Sequence, residues 1–151
     1  MANVMQIRFD KNSMRLLEQR LMETTTGVQA AATLELLKVA EEILTWSDQI
    51  VPVDTGALRN SKYISEPVKD EVEDTVSVDY GYGGVADTWN ADSNEMASSY
   101  MVAVHEDLLA RHAPGKMAKY LEIPTTQSKK YMLSSLKVGL SKFFRTVGAN
   151  K

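Results

Sequence analysis

The chain contains no cysteine. That excludes a disulfide framework, Cys-ligated zinc and thiol catalysis, and it suits a reducing compartment. No apolar run approaches the roughly 18–20 residues of a membrane span, and the opening "MANVMQIRFDKNS" lacks the apolar stretch of a secretory signal. The expectation is a soluble protein made in a cytoplasm, with no membrane partner. Charge of one sign is lacking too: 17 Lys and Arg against 20 Asp and Glu leave a net −3, giving no bulk pull toward nucleic acid or anionic lipid. There is no internal repeat or low-complexity tract. What is present is an ordinary globular mixture, 44% hydrophobic and 25% charged over 151 residues. A domain of that length buries roughly 68–70% of its unfolded surface and needs no staple to fold.

Periodicity gives the order of elements. Met5, Ile7 and Phe9 alternate with Gln6 and Arg8, which predicts a short strand, and Asp10, Asn12 and Ser13 can cap a helix from about Met14. Leu17, Leu21, Val28, Ala32, Leu36, Ala40, Ile43 and Leu44 then fall near one helical face, with Glu35, Lys38, Glu41 and Glu42 on the other. "TTTG" at 24–27 has poor helix propensity and predicts a bend or break. Pro52 stops the helix. "KYISEPV" and "DTVSVDYG" read as strands joined by "KDEVE", with Val76, Val78 and Tyr80 on one face. A polar glycine-rich loop follows from Gly81 to Ser99. "SYMVAVHE" alternates like a strand, "DLLARHAPGK" reads as a loop, and "MAKYLEI" fits strand or helix. Pro124 opens a last helix to about Phe144, with 146–151 as a frayed tail. The fold class is α+β: one domain over 1–151 with a long N-terminal helix, three or four antiparallel strands and a C-terminal helix.

Asp54-Thr55-Gly56 has the spelling of an aspartic protease loop. Such an enzyme needs two carboxylates sharing a proton, on a loop that follows a buried apolar strand. Here Pro52 and an amphipathic helix precede the motif, and there is no second copy, so a dimer would have to supply the partner. A structural turn explains more: Asp54 can accept backbone N–H groups, Gly56 permits positive φ, Leu58 can tuck beneath the turn, and Arg59 then faces outward.

A helix, then "PVDTGALRNS", a hairpin, "YMVAVHE" and a final helix resemble the tail completion or head–tail joining proteins of tailed bacteriophages, also labelled neck or minor capsid proteins. Pro52, Val53, Asp54, Thr55, Gly56, Leu58 and Ser61 match the first motif of that family. Tyr100, Val104 and Glu106 match the second, and Lys119, Tyr120 and Leu121 stand where a later segment falls. Asp107 stands near an expected glycine, and the 81–99 loop is longer and more polar than the family's. The resemblance implies a non-enzymatic virion protein without cofactor, assembled in the host cytoplasm. It would form a homo-oligomeric ring, commonly hexameric, between the head connector or stopper and the tail tube or terminator, with DNA passing through unread. A tail terminator is the alternative within that class, and a dimeric hydrolase using Asp54 the alternative outside it.

The remaining constellations are weaker. His105, Glu106, Asp107 and His112 invite a metal reading, but on a strand His105 and Glu106 would point to opposite faces. "GYGG" lacks the Lys-Ser/Thr of a phosphate loop, and no Gly-x-Ser-x-Gly elbow occurs. No catalytic or metal residue is therefore assigned. Tyr82, Trp89 and Met96 make the long loop a candidate partner contact. Lys130, Lys137 and Arg145, with Lys129 and Lys142, form a candidate lumen or interface face on the last helix, opposite an apolar stripe of Leu133, Leu136, Leu140 and Phe144.

Overall fold

The computed structural model describes residues 11–73 and 75–149, and the strand expected over 5–9 lies outside them. The architecture is α+β. Helix α1 (Lys11–Ile50) runs antiparallel against α4 (Glu122–Ala149). Between them in sequence lie the single turn α2 (Ala57–Asn60), six short strands and α3 (Ala97–Glu106). The strands form three antiparallel pairs rather than one sheet of three or four: β1 (Lys62–Ile64) with β4 (Tyr80–Tyr82), β2 (Val68–Asp70) with β3 (Thr75–Ser77), and β5 (Trp89–Asn90) with β6 (Glu95–Met96).

The first two pairs are one hairpin broken by a bulge. Ile64 faces Tyr80 and Val68 faces Ser77, so residues 65–67 oppose residues 78–79. Pro67 has no N–H to give the ladder, and Ser65 covers the gap. Its N–H donates to the Asp79 carbonyl at 2.8 Å and its hydroxyl accepts from the Asp79 N–H at 2.9 Å. The expected alternation holds: Val76, Val78 and Tyr80 are half-buried, while Thr75, Ser77 and Asp79 are exposed.

Helix α1 does not break at "TTTG". The glycine is a seat: a Cβ on Gly27 would lie 2.3 Å from Cζ of Phe143 on α4. Gly139 of α4 takes Glu35 in the same way, a Cβ there falling 2.4 Å from the Glu35 Cγ. Glu35 therefore faces α4 rather than solvent. It accepts from the Ser135 hydroxyl at 2.9 Å and pairs with Lys38 at 2.6 Å. Close approach at these two glycines turns the 135–139–143 side of α4 toward α1. The expected apolar stripe is only partly covered as a result: Leu136 and Leu140 are half-buried, Phe144 borders a groove with Val28, Ala32 and Leu36 while half of it stays exposed, and Leu133 lies exposed.

Residues 97–106 are helical, not a strand. Ala97 is buried and Tyr100, Met101, Val104 and His105 are half-buried, while Ser98, Ser99, Val102 and Ala103 are exposed. That is the i, i+3, i+4, i+7, i+8 spacing of a helix face. The 81–99 segment is not wholly loop either, since it holds a short 3-10 turn (Gly84–Ala86) and the β5–β6 pair. Helix α4 begins two residues before Pro124 and continues past Phe144 to Ala149, through most of the expected tail.

The core sits where α1 ends. Leu44, Val51, Leu58, Tyr82 and Tyr120 are buried together, with Ile50, Tyr100, Met101 and Val104 against them. Fully burying an aliphatic or aromatic side chain of this kind is worth about 1.5–3 kcal/mol each.

Candidate functional site

The 51–61 turn is built from its own residues. Helix α1 ends at Ile50, and the Val51 N–H still reaches the Ser47 carbonyl at 2.8 Å before Pro52 stops further pairing. Gly56 stands at φ +88°, the left-handed region expected for it, and opens α2. The Ala57 N–H lies 3.4 Å from the Thr55 hydroxyl oxygen. The side-chain acceptor of this turn is thus Thr55 rather than the expected Asp54, which is exposed and makes no hydrogen bond or ion pair among the described residues. Leu58 is buried as expected. Ser61 is fully buried, donating to the Leu58 carbonyl at 2.7 Å and accepting from the Gly83 N–H at 3.0 Å. Arg59 is exposed and turns back to α1: Asp48 receives its guanidinium and the Lys62 ammonium, the latter at 2.9 Å. Those two cations, Arg59 foremost, pull the Asp48 carboxyl down to about 2.

Segments 52–61, 100–106 and 119–121 meet around the core at the end of α1. Tyr100 and Val104 of α3 line a cleft of about 400 Å³ whose opposite wall is Pro52–Leu58. Asn90 and Glu95 of the β5–β6 pair and Arg111 and His112 of the following loop complete it. His112 Nε2 is buried there, with no hydrogen-bond partner among the described residues. Glu106 pairs with Lys119, which also reaches Glu122 at 2.9 Å; Lys119 first and His105 second hold the Glu106 carboxyl below its usual range. Tyr120 packs edge-on against Tyr82 with ring centroids 5.2 Å apart, and its hydroxyl donates to the Met101 carbonyl at 3.0 Å. Burial pushes its phenol upward, and pushes Tyr82 up to about 12.

The loop after Pro114 stitches the helices together. Lys116 donates its ammonium to the Gln49 carbonyl at 2.9 Å, and the Met117 N–H reaches the Ile50 carbonyl at 2.9 Å. Both satisfy carbonyls that the end of α1 leaves open. Lys119 holds a left-handed φ of +56° while its N–H reaches the His105 carbonyl at 2.8 Å. This stitch was not legible beforehand, because a lysine after a Pro-Gly turn gives no sign of which distant carbonyl it will meet.

Two expectations fail at this site. Tyr82 is no partner-contact residue: it is buried, and its hydroxyl lies 2.8 Å from the Ser47 hydroxyl. Trp89 and Met96 are exposed and face each other across β5–β6. The strand argument separating His105 from Glu106 also fails, since at a helix end their side chains meet at 2.8 Å. Even so, no group of three or more His, Asp and Glu is placed to hold a metal among the described residues. Lys130, Lys137 and Arg145 are exposed along α4. No protein family, curated protein or solved structure matches the chain.

Proposed function

We propose that this chain is a structural virion protein of a tailed phage: a neck adaptor that assembles as a ring, joins the head connector to the tail and surrounds the DNA channel. The observation that supports this most is the convergence at the end of α1. Segments at 52–61, 100–106 and 119–121 are far apart in sequence, yet they meet around one small core and hold one another. Within them the bonding falls to Thr55, Arg59, Ser61, Glu106, Lys119 and Tyr120, while Asp54 contributes none among the described residues. A joint of that kind keeps neighbouring surfaces at a fixed angle, the main requirement on a subunit of a closed ring.

Electron microscopy of lysates from the source phage with this gene disrupted tests the reading. DNA-filled heads beside separate tails of normal length are the expected result. Overlong tails would make the protein a terminator, and empty heads would make it a connector or stopper. Intact infectious particles would end the neck reading.

A further inference from the structure

The net charge conceals a separation. Residues 66–79, which include β2, β3 and their turn, carry six acidic side chains and one lysine. Residues 123–151, nearly all of them in α4, carry six basic side chains and no acidic one. Among the described residues no ion pair joins the two, and the salt bridges found there lie elsewhere, at Glu35, Asp48, Glu106 and Glu122.

Each charged region also presents apolar surface. On the hairpin Val76 turns inward, helping to line a groove with Val28, Ala32, Leu36 and Phe144, whereas Val68 is 60% exposed and Val72 at the tip 91%. The tip is a formed turn, because the Asp70 carboxylate accepts from the Val72 and Glu73 N–H groups at 2.9 and 3.1 Å. Glu71 and Glu73 flank Val72 there. On α4, Lys130, Leu133, Lys137 and Phe144 fall along one face at helical spacing. Leu133 is 64% exposed and Phe144 51%.

We infer that these two surfaces are the two halves of one self-interface: the acidic β2–β3 hairpin of one copy docks on the basic outer face of α4 in the next. This rests on the ring-forming reading and names the contact that would build it. Charge complementarity orients the encounter, and burial of Val68 and Val72 against Leu133 and the exposed half of Phe144 supplies the non-directional part. The surfaces differ from one another, so the contact is head-to-tail and repeats from copy to copy, closing into a ring where the rotation permits. A second copy suits the helix face better than DNA does, since a phosphate backbone would leave Leu133 and Phe144 uncovered.

Two charge-reversed proteins test the inference: Lys130→Glu with Lys137→Glu, and Glu71→Lys with Glu73→Lys. Circular dichroism checks their folding, and all the altered side chains are exposed. Sedimentation velocity should show the unaltered chain associating with concentration, and doing so less between about 0.1 M and about 1 M salt as the screening length falls from about 10 Å to about 3 Å. Each reversed protein should associate about a hundredfold more weakly. An equimolar mixture of the two should recover assembly, because each then meets its complement on both sides. Reversed proteins that assemble like the unaltered chain would overturn the interface and leave the neck reading standing. An unaltered chain that stays monomeric at low salt would also overturn it. So would duplex DNA binding that the α4 reversal abolishes while assembly is unchanged. Failure of the neck reading appears instead as intact particles in the gene disruption, a result independent of these masses.

Discussion

The joint at the end of α1 and the arm formed by α1 and α4 are held in different ways. In the joint, side chains specify the geometry: Ser47 to Tyr82, Ser61 to Gly83, Tyr120 to Met101 and Lys116 to Gln49 each fix one element against another. In the arm, close approach does most of the work, with a phenyl ring over Gly27 and a carboxylate stem over Gly139, and one directed bond, from the Ser135 hydroxyl to Glu35 at 2.9 Å, is added to it. A joint of directed bonds tolerates few changes anywhere within it. An arm of seated side chains tolerates most changes on its surface and few at its two seats.

The sharpest way to break the joint is Gly83→Ala. Gly83 stands at φ +75° and ψ −137°, a region open essentially to glycine alone, and a Cβ there would lie 2.9 Å from the Met101 sulfur. Strain and overpacking together should cost about 3 kcal/mol, read as a fall in the urea midpoint. Tyr82→Phe comes next. It leaves the buried Ser47 hydroxyl without its Tyr82 partner, for a loss of about 1–2 kcal/mol by the same measurement.

Gly27→Ala probes the arm, and there the sign carries the information. Helix propensity alone favours alanine by about 1 kcal/mol. The clash with Phe143 should outweigh that gain and leave a net loss of about 1 kcal/mol. With Phe143→Ala already in place, the same substitution should stabilise by about 1 kcal/mol, so thermal melts of the four proteins form a cycle whose coupling measures the seat.

The smallest effect is electrostatic. The Asp48 carboxyl is depressed in the folded state, so its contribution is fully present above the unfolded value near 4 and is lost as pH falls from there through about 2. Arg59 and Lys62 are nearly half exposed, and solvent screening limits the effect to about 0.5 kcal/mol. Asp48→Asn should flatten that part of the stability-against-pH curve.

Much of this was legible in the sequence. Helix spacing at 28–44, the stop at Pro52, alternation at 76–80 and positive φ at Gly56 are local properties, set by residues within a turn or two. The errors came where a distant partner decides. Valines at 102 and 104 gave 100–105 the look of a strand, but the helix is capped at its start by Asp87, which accepts from the Ser98 N–H at 2.9 Å. "TTTG" spelled a break until Phe143 required a site without a side chain. Tyr82 resembled an exposed loop aromatic because nothing nearby in sequence names Ser47 as its partner.

The stitch by Lys116 and Met117 onto Gln49 and Ile50 has a mechanical consequence. At 1.5 Å per residue the 40 residues of α1 make a rod of about 60 Å, and α4 is seated along it at Gly27 and Gly139, so the two helices turn together: a rotation of about 5° at the grip carries the far end of the pair about 5 Å. Two carbonyl contacts at the fulcrum therefore set where the tip of the molecule points, and a slight loosening there would be magnified into a displacement as large as a full turn of helix.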